Sequence, residues 1–174
     1  MNTRLTLRAR MMEGPISTDD IIPGKYKHMY TDPADMARHV FENRFPGYAG
    51  TLREGDLIAC RSIFGIGSSR EQAVTSLLAA GVKAVVAPHF GRIFFRNCWN
   101  LGLLPIKIAD CVIAEEASVT LDLVAGALRT PEGTRSFHPP PRFMLDMRAE
   151  GGLLERVRNR CRAAGRSKPT ESCV

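Results

Sequence analysis

The sequence predicts an α/β fold built on a parallel sheet, and three observations predict it. Between residues 56 and 108, short apolar runs of strand length alternate with amphipathic stretches of helical period. Turn residues, glycine above all, separate one run from the next. The resulting order, strand, helix, strand, helix, strand, is closed by right-handed crossovers, which lay successive strands parallel. The chain has 174 residues, one domain's worth, with 44% hydrophobic and 24% charged residues, enough to bury a core and too ordinary for disorder or a fibrous repeat.

Each element follows from its local pattern. Residues 3–10, TRLTLRAR, alternate polar and apolar side chains and read as an opening strand. Residues 14–24, GPISTDDIIPG, are bounded by Gly and Pro and carry two adjacent acids, Asp19 and Asp20, so irregular chain is expected there. From Asp32, DPADMARHVFENRF has a capping Asp, Pro at the first helical position and Met36, Val40 and Phe41 at helical spacing. A buried strand follows at 56–61. A glycine-rich turn then leads into a helix over 70–80, a strand at 82–87, a helix over 91–101 ended by Gly102, and a strand at 103–108. Strands at 119–124 and 134–137 and a last helix over 144–160 complete residues 1–160 as a single domain, with 161–174 a polar, basic tail.

The balance of 24 basic against 18 acidic residues, +6, biases the surface toward anions. The basic residues are scattered and aromatics are only 7%, so a nucleic-acid partner is disfavoured. No apolar run approaches the ~18 residues of a membrane span, and the N-terminus lacks the apolar stretch of a signal peptide, which points to the cytoplasm. Cys60, Cys98, Cys111, Cys161 and Cys173 form an odd set with no CxxC pair, so neither a disulfide framework nor a metal site made by this chain alone is expected.

The segment Phe64-Gly65-Ile66-Gly67-Ser68-Ser69-Arg70-Glu71 carries the chemistry. A glycine-rich turn between strand and helix leaves backbone N–H groups free at the helix start, and the helix dipole favours anions there by roughly 0.3 to 1 kcal/mol. Two hydroxyls and a guanidinium stand at the same point, and an arginine can hold a carboxylate with two parallel hydrogen bonds. The turn lacks the Gly-Lys-Ser/Thr ending of a P-loop and the third glycine of a dinucleotide fingerprint. Two readings of these residues remain, a site for a carboxylic acid or phosphate, and a serine-capped helix with a surface arginine.

Three blocks taken together, STDDIIPG at 17–24, FGIGSSREQA at 64–73 and AVVAPHFGRIFFRNCWNLGLLPI at 84–106, resemble the small subunit of the aconitase superfamily, nearest to 3-isopropylmalate dehydratase and homoaconitase. The resemblance implies a three-layer β/β/α swivelling domain, as in the C-terminal domain of aconitase, working against a separate large subunit in a heterodimer or heterotetramer. It implies that the large subunit carries a four-iron four-sulfur cluster, that this chain binds no cofactor or metal of its own, and that the pair moves a hydroxyl between neighbouring carbons of a hydroxy di- or tricarboxylate by dehydration and rehydration. By the family pattern Ser68 removes the proton from carbon, Arg70 clamps a substrate carboxylate, Ser69 contributes to carboxylate binding, and Asp19 orients the charged groups of the site.

The segment after Gly24, Lys25-Tyr26-Lys27-His28-Met29-Tyr30-Thr31, is richer in cations and one residue longer than the family forms it resembles. Lys27 or His28 is expected to pair with an additional substrate carboxylate, and Tyr26, Met29 and Tyr30 to wall an apolar pocket. Isopropylmalate is the leading substrate of this reading, with homocitrate, dimethylmalate or methylcitrate chemistry as alternatives and RNA binding as the alternative outside catalysis. Pro139-Pro140-Pro141 reads as a stiff extended connector before the last helix. Phe94, Phe95 and Trp99 read as core or partner-facing side chains.

Overall fold

The computed structural model describes residues 3–27, 29–68 and 70–163. One seven-stranded sheet organises them. Its strands are β1 (Arg4–Met12), β3 (Asp56–Cys60), β5 (Val82–Ala87), β6 (Leu104–Lys107), β7 (Ser118–Asp122), β8 (Ala127–Thr130) and β9 (Gly133–Ser136), in the order β6-β5-β3-β1-β7-β8-β9. The first four are mutually parallel and the last three antiparallel, so β1, from the start of the chain, lies in the middle, with Ala9 opposite Leu57 on one side and Leu7 opposite Val119 on the other. A second, two-stranded parallel sheet pairs β2 (Ile16–Ser17) with β4 (Phe64–Ile66).

β3 and β5, inside the parallel half, read as nearly unbroken apolar runs because both their faces are covered, whereas β1 alternates. Ile58, Cys60, Val85 and Ala87 join one core with Val74 and Leu77 of helix α3 (Glu71–Ala79) and Phe94 and Cys98 of helix α4 (Arg92–Leu101). Their neighbours Leu57, Ala59, Ala84 and Val86 join a second core with Leu104, Val119, Leu121, Leu128 and Phe137. The sheet thus curls until its antiparallel half covers the parallel half, giving the layers β, β and α of the expected fold. Full burial of each large side chain stabilises by roughly 1.5 to 3 kcal/mol. Asp56, fully buried at the start of β3, accepts from Arg8 Nε and Nη2 at 2.8 and 2.9 Å and from the Arg53 amide at 2.9 Å, with Arg10 3.8 Å away. These bonds satisfy the buried carboxylate.

Several expectations need revision. Residues 14–24 are ordered into β2, a one-turn helix α1 (Thr18–Ile21) and a 3-10 turn over Gly24–Lys27. The pairing that orders β2 comes from a strand almost fifty residues later, which no local pattern contains. The helix from Asp32 is only α2 (Pro33–Ala37), capped by the Asp32 side chain on the Ala34 amide. Beyond it Phe41 takes a left-handed φ of 62° and its amide donates to the Ile21 carbonyl at 2.9 Å, so tertiary contact overrides helical period. β8, four residues with Leu128 buried, adds a strand between the two expected at 119–124 and 134–137. The last helix is two, α5 (Arg142–Ala149) and α6 (Leu153–Ala163), broken at Gly151 and Gly152 where φ is 90° and 100°. The single helix expected over 144–160 ran through this Gly-Gly pair, whose left-handed backbone an α-helix does not accept. Residues 164–174 of the basic tail lie outside the described residues.

Candidate active site

Three separate stretches are stitched into one surface by backbone hydrogen bonds. The Ile16 amide donates to Ile63 at 2.9 Å, the Phe64 amide to His89 at 2.9 Å, and the Gly91 amide back to Phe64 at 2.9 Å. Close approach makes the glycines necessary here. A Cβ on Gly91 would lie 2.0 Å from the Gly65 carbonyl oxygen, and one on Gly65, which has φ of 75°, would lie 2.2 Å from the buried Phe94 ring. The start of α4 is therefore pressed directly against β4, and the turn that follows β4 has one place to go. Gly67, with φ of 101°, carries the chain past the buried Thr18, whose Oγ1 donates to the Ser68 carbonyl at 3.3 Å. Ser68 itself is exposed.

Arg70 stands at the N-cap of α3 with extended backbone, ψ 108°, and sends its side chain back across α1. Its Nη1 donates to Asp19 Oδ1 and to the Ile22 carbonyl, the latter at 3.4 Å. The described bonds all leave from Nη1, so Nε and Nη2 remain to grip an incoming carboxylate. Gly24 makes space for this, since a Cβ there would lie 3.2 Å from Arg70 Nη2. The arginine side chain is 20% exposed against 60% for Asp19, so the pair is rooted in the protein and open on one side.

The neighbouring acids have divided their work. Asp20 closes a capping box, accepting from the Ser17 amide and hydroxyl at 2.7 Å each, while the Asp20 amide donates to Ser17 Oγ at 3.0 Å. Burial pushes its carboxyl up, but the Ser17 bonds and Arg44, 3.5 Å away, outweigh burial and hold it below the usual range. Arg44 also donates to the carbonyls of Pro15 and Glu13, at 2.5 and 3.2 Å. Asp20 and Arg44 shape the loop and Asp19 meets the arginine. Nothing local in the sequence singled out Arg44, Thr18 or Gly24 as supports. Their partners are brought to them only by the fold.

Asp19, Ser68 and Arg70 are thus brought together around one turn. Ser69 and His28 lie outside the described residues, and Lys27 closes the 3-10 turn Gly24–Lys27. Met29 is exposed. Tyr26 proves to be a core residue, 6% exposed, stacked on His39 with ring centroids 3.9 Å apart, and Tyr30 stacks on His39 from 5.4 Å. Cys60, Cys98 and Cys111 are buried apart from one another; burial pushes the Cys98 thiol well up and that of Cys111 to about 11. Among the described residues no three His, Cys, Asp or Glu side chains gather as a metal site would need, so these cysteines do not fit an iron-sulfur cluster. No helix of the described residues is long and apolar enough to cross a membrane.

The chain and its curled sheet have counterparts among known proteins. The model of the aconitase C-terminal domain family matches residues 7–111, and the chain belongs to that family. It is similar to the homoaconitase small subunit of Thermus thermophilus, 38% identical over 152 residues that make up 86% of this chain and 93% of that one. It is also 41% identical over 142 residues to the 3-isopropylmalate dehydratase small subunit of Aliarcobacter butzleri, covering 80% of this chain and 85% of the other. A crystal structure of 3-isopropylmalate dehydratase from Methanocaldococcus jannaschii superposes with a TM-score of 0.85 and 34% identity, over 93% of this chain and 98% of that one.

Proposed function

We infer that this chain is the small subunit of a hydro-lyase that isomerises 2-isopropylmalate to 3-isopropylmalate by removing and re-adding water, in the cytoplasm and in company with a large subunit. The observation that carries the reading is the Arg70–Asp19 pair set beside Ser68 on an open face of an aconitase-type domain. The relatives named 3-isopropylmalate dehydratase small subunit support the substrate. A second reading, homocitrate chemistry, is favoured by the Thermus relative and by the cation-rich turn at Lys25 and Lys27.

In this mechanism Arg70 holds a substrate carboxylate through Nε and Nη2 while Asp19 and the Ile22 carbonyl keep the guanidinium in place. Ser68, as its alkoxide, takes the proton from the carbon next to the one bearing hydroxyl, and the C–H electron pair becomes the double bond. The C–O pair leaves with the hydroxyl, which becomes water by taking up the proton released when the alkoxide formed. Re-addition reverses the steps with the carbons exchanged, and Ser68 returns the proton. A free serine hydroxyl is far too weak a base at neutral pH. The nearby guanidinium and the amides at the start of α3 favour its alkoxide once the partner's surface closes over the turn and excludes water. Ser69, Lys27 and His28 flank the substrate, and residues 1–160 move as one swivelling domain. A four-iron four-sulfur cluster in the large subunit supplies the Lewis acid for the leaving hydroxyl.

The test is anaerobic reconstitution with the cluster-bearing partner and turnover on isopropylmalate, homocitrate, citrate, citramalate and dimethylmalate. Dehydration of isopropylmalate in preference to the others is expected, and Ser68→Ala abolishes turnover while the complex still assembles. Substantial residual turnover by that variant refutes the assignment of Ser68. Silence of the unmodified complex on all five acids refutes the enzymatic reading and leaves RNA binding, to be read from its steep salt dependence.

A further inference from the structure

The segment His39 to Arg44 grips the site loop at both ends. At one end Arg44 holds the Glu13, Pro15 and Asp20 side, and in the middle the Phe41 amide holds Ile21. At the other end a single carboxylate, Glu42, gathers the turn that follows Gly24. Tyr26 Oη donates to Glu42 Oε1 and Oε2 at 2.6 and 2.8 Å, Lys25 Nζ stands 3.3 Å from Oε1, and His39 Nδ1 lies 2.5 Å from Oε2. The bonds from Tyr26 first and His39 next, with Lys25, overcome the effect of burial and hold this carboxyl at about 2, well below the usual carboxylate range.

The turn so held is the one that touches Arg70. The Ile22 carbonyl accepts from Arg70 Nη1, and Nη2 stands close enough to Gly24 that a Cβ there would lie 3.2 Å from it. A shift of the turn by a few tenths of an ångström therefore moves the wall against which the substrate-binding guanidinium rests. We propose that Glu42 is a positioning residue that, through the Tyr26 hydroxyl, fixes the turn Gly24–Lys27 against Arg70 and so sets affinity for the substrate carboxylate while leaving proton transfer at Ser68 unchanged. The proposal rests on the function inferred above.

Kinetics of the reconstituted complex on its preferred acid test it. Glu42→Ala and Tyr26→Phe are each expected to raise KM about tenfold, short of the ~100-fold that a full 1 Å misplacement costs, with kcat within about twofold of the unmodified complex. Glu42→Gln, which still accepts from Tyr26, recovers part of the loss. The double variant Tyr26→Phe/Glu42→Ala is no worse than Glu42→Ala alone, because one acts through the other. An unchanged KM, a fall in kcat alone, or additive effects overturn the proposal. Hydrogen exchange judges it without any turnover. In Glu42→Ala and Tyr26→Phe the amides of residues 26 and 30, bonded to the carbonyls of Pro23 and residue 26, exchange faster while those of α3 do not. Unaltered exchange overturns it even if the complex turns over none of the acids, an outcome that separately defeats the functional reading.

Discussion

Replacing Gly91 by Ala would test whether the site depends on two backbones touching. Gly91 has an ordinary φ of −57°, so the substitution strains no dihedral and acts through its methyl alone. That methyl would sit 2.0 Å from the Gly65 carbonyl oxygen and 2.7 Å from its carbon. Contacts of this type do not fall below about 3 Å, so β4 or the start of α4 must retreat by roughly 1 Å. Overpacking of this kind costs about 1 to 3 kcal/mol, which lowers Tm by roughly 2 to 12 °C for a chain of this size. The retreat also carries off the turn bearing Ser68 and Arg70, and a 1 Å error in a reacting group costs on the order of 100-fold in turnover. Calorimetry on the isolated chain reads the first effect and kcat of the reconstituted complex the second. Gly50→Ala is the control, because a Cβ at Gly50 meets nothing within 4 Å. Unchanged Tm and kcat in Gly91→Ala would refute the reasoning.

Three further outcomes are expected. Gly24→Ala places a Cβ 3.2 Å from Arg70 Nη2, which a flexible guanidinium can accommodate; Tm should hold while KM rises about fivefold, on the order of 1 kcal/mol, and a Tm loss with unaltered KM would contradict this. Asp56→Ala removes the buried carboxylate shared by Arg8 and Arg10, leaving them Glu116, Glu115 and Thr51, a loss of about 3 kcal/mol to be read from the urea midpoint, with anything under 1 kcal/mol counting against it. Among the four described cysteines, a thiol reagent added to the native chain should modify exposed Cys161 first, because burial excludes reagent from Cys60, Cys98 and Cys111 and pushes their thiols up. Peptide mapping that finds Cys98 or Cys111 labelled as fast would break that ordering.

The parallel half of the sheet was legible because β3 and β5 are buried on both faces, β1 alternates, and its helices are amphipathic; Gly81, Gly102 and the apolar runs mark nearly every boundary. The Ser68 and Arg70 turn and Asp19 were legible through the motifs that carry the resemblance. What stayed hidden depends on partners distant in sequence. The strand at Ile16 exists because Phe64 lies beside it, and the helix after Asp32 ends early because Phe41 is drawn to Ile21. Tyr26, read as a pocket wall, is a buried donor to Glu42, a residue that no spacing rule connects to it. Asp19 and Asp20 look equivalent in sequence, and only the Ser17 capping box tells them apart.

The position of β1 has a consequence for how the chain is made. Its two neighbours are β3, which begins at Asp56, and β7, where Arg4 finally meets Asp122. At synthesis rates of about 5 to 20 residues per second, the opening strand waits roughly 6 to 24 s for its second edge to emerge, holding Leu7 and Ala9 uncovered meanwhile. Contacts so far apart in sequence also make for slow folding. The loop with Asp19 hangs from the other end of this strand, where Met12 already lies opposite Cys60, so its contacts with Phe41, Ile63 and Arg70 can form while the strand's second edge is still to come.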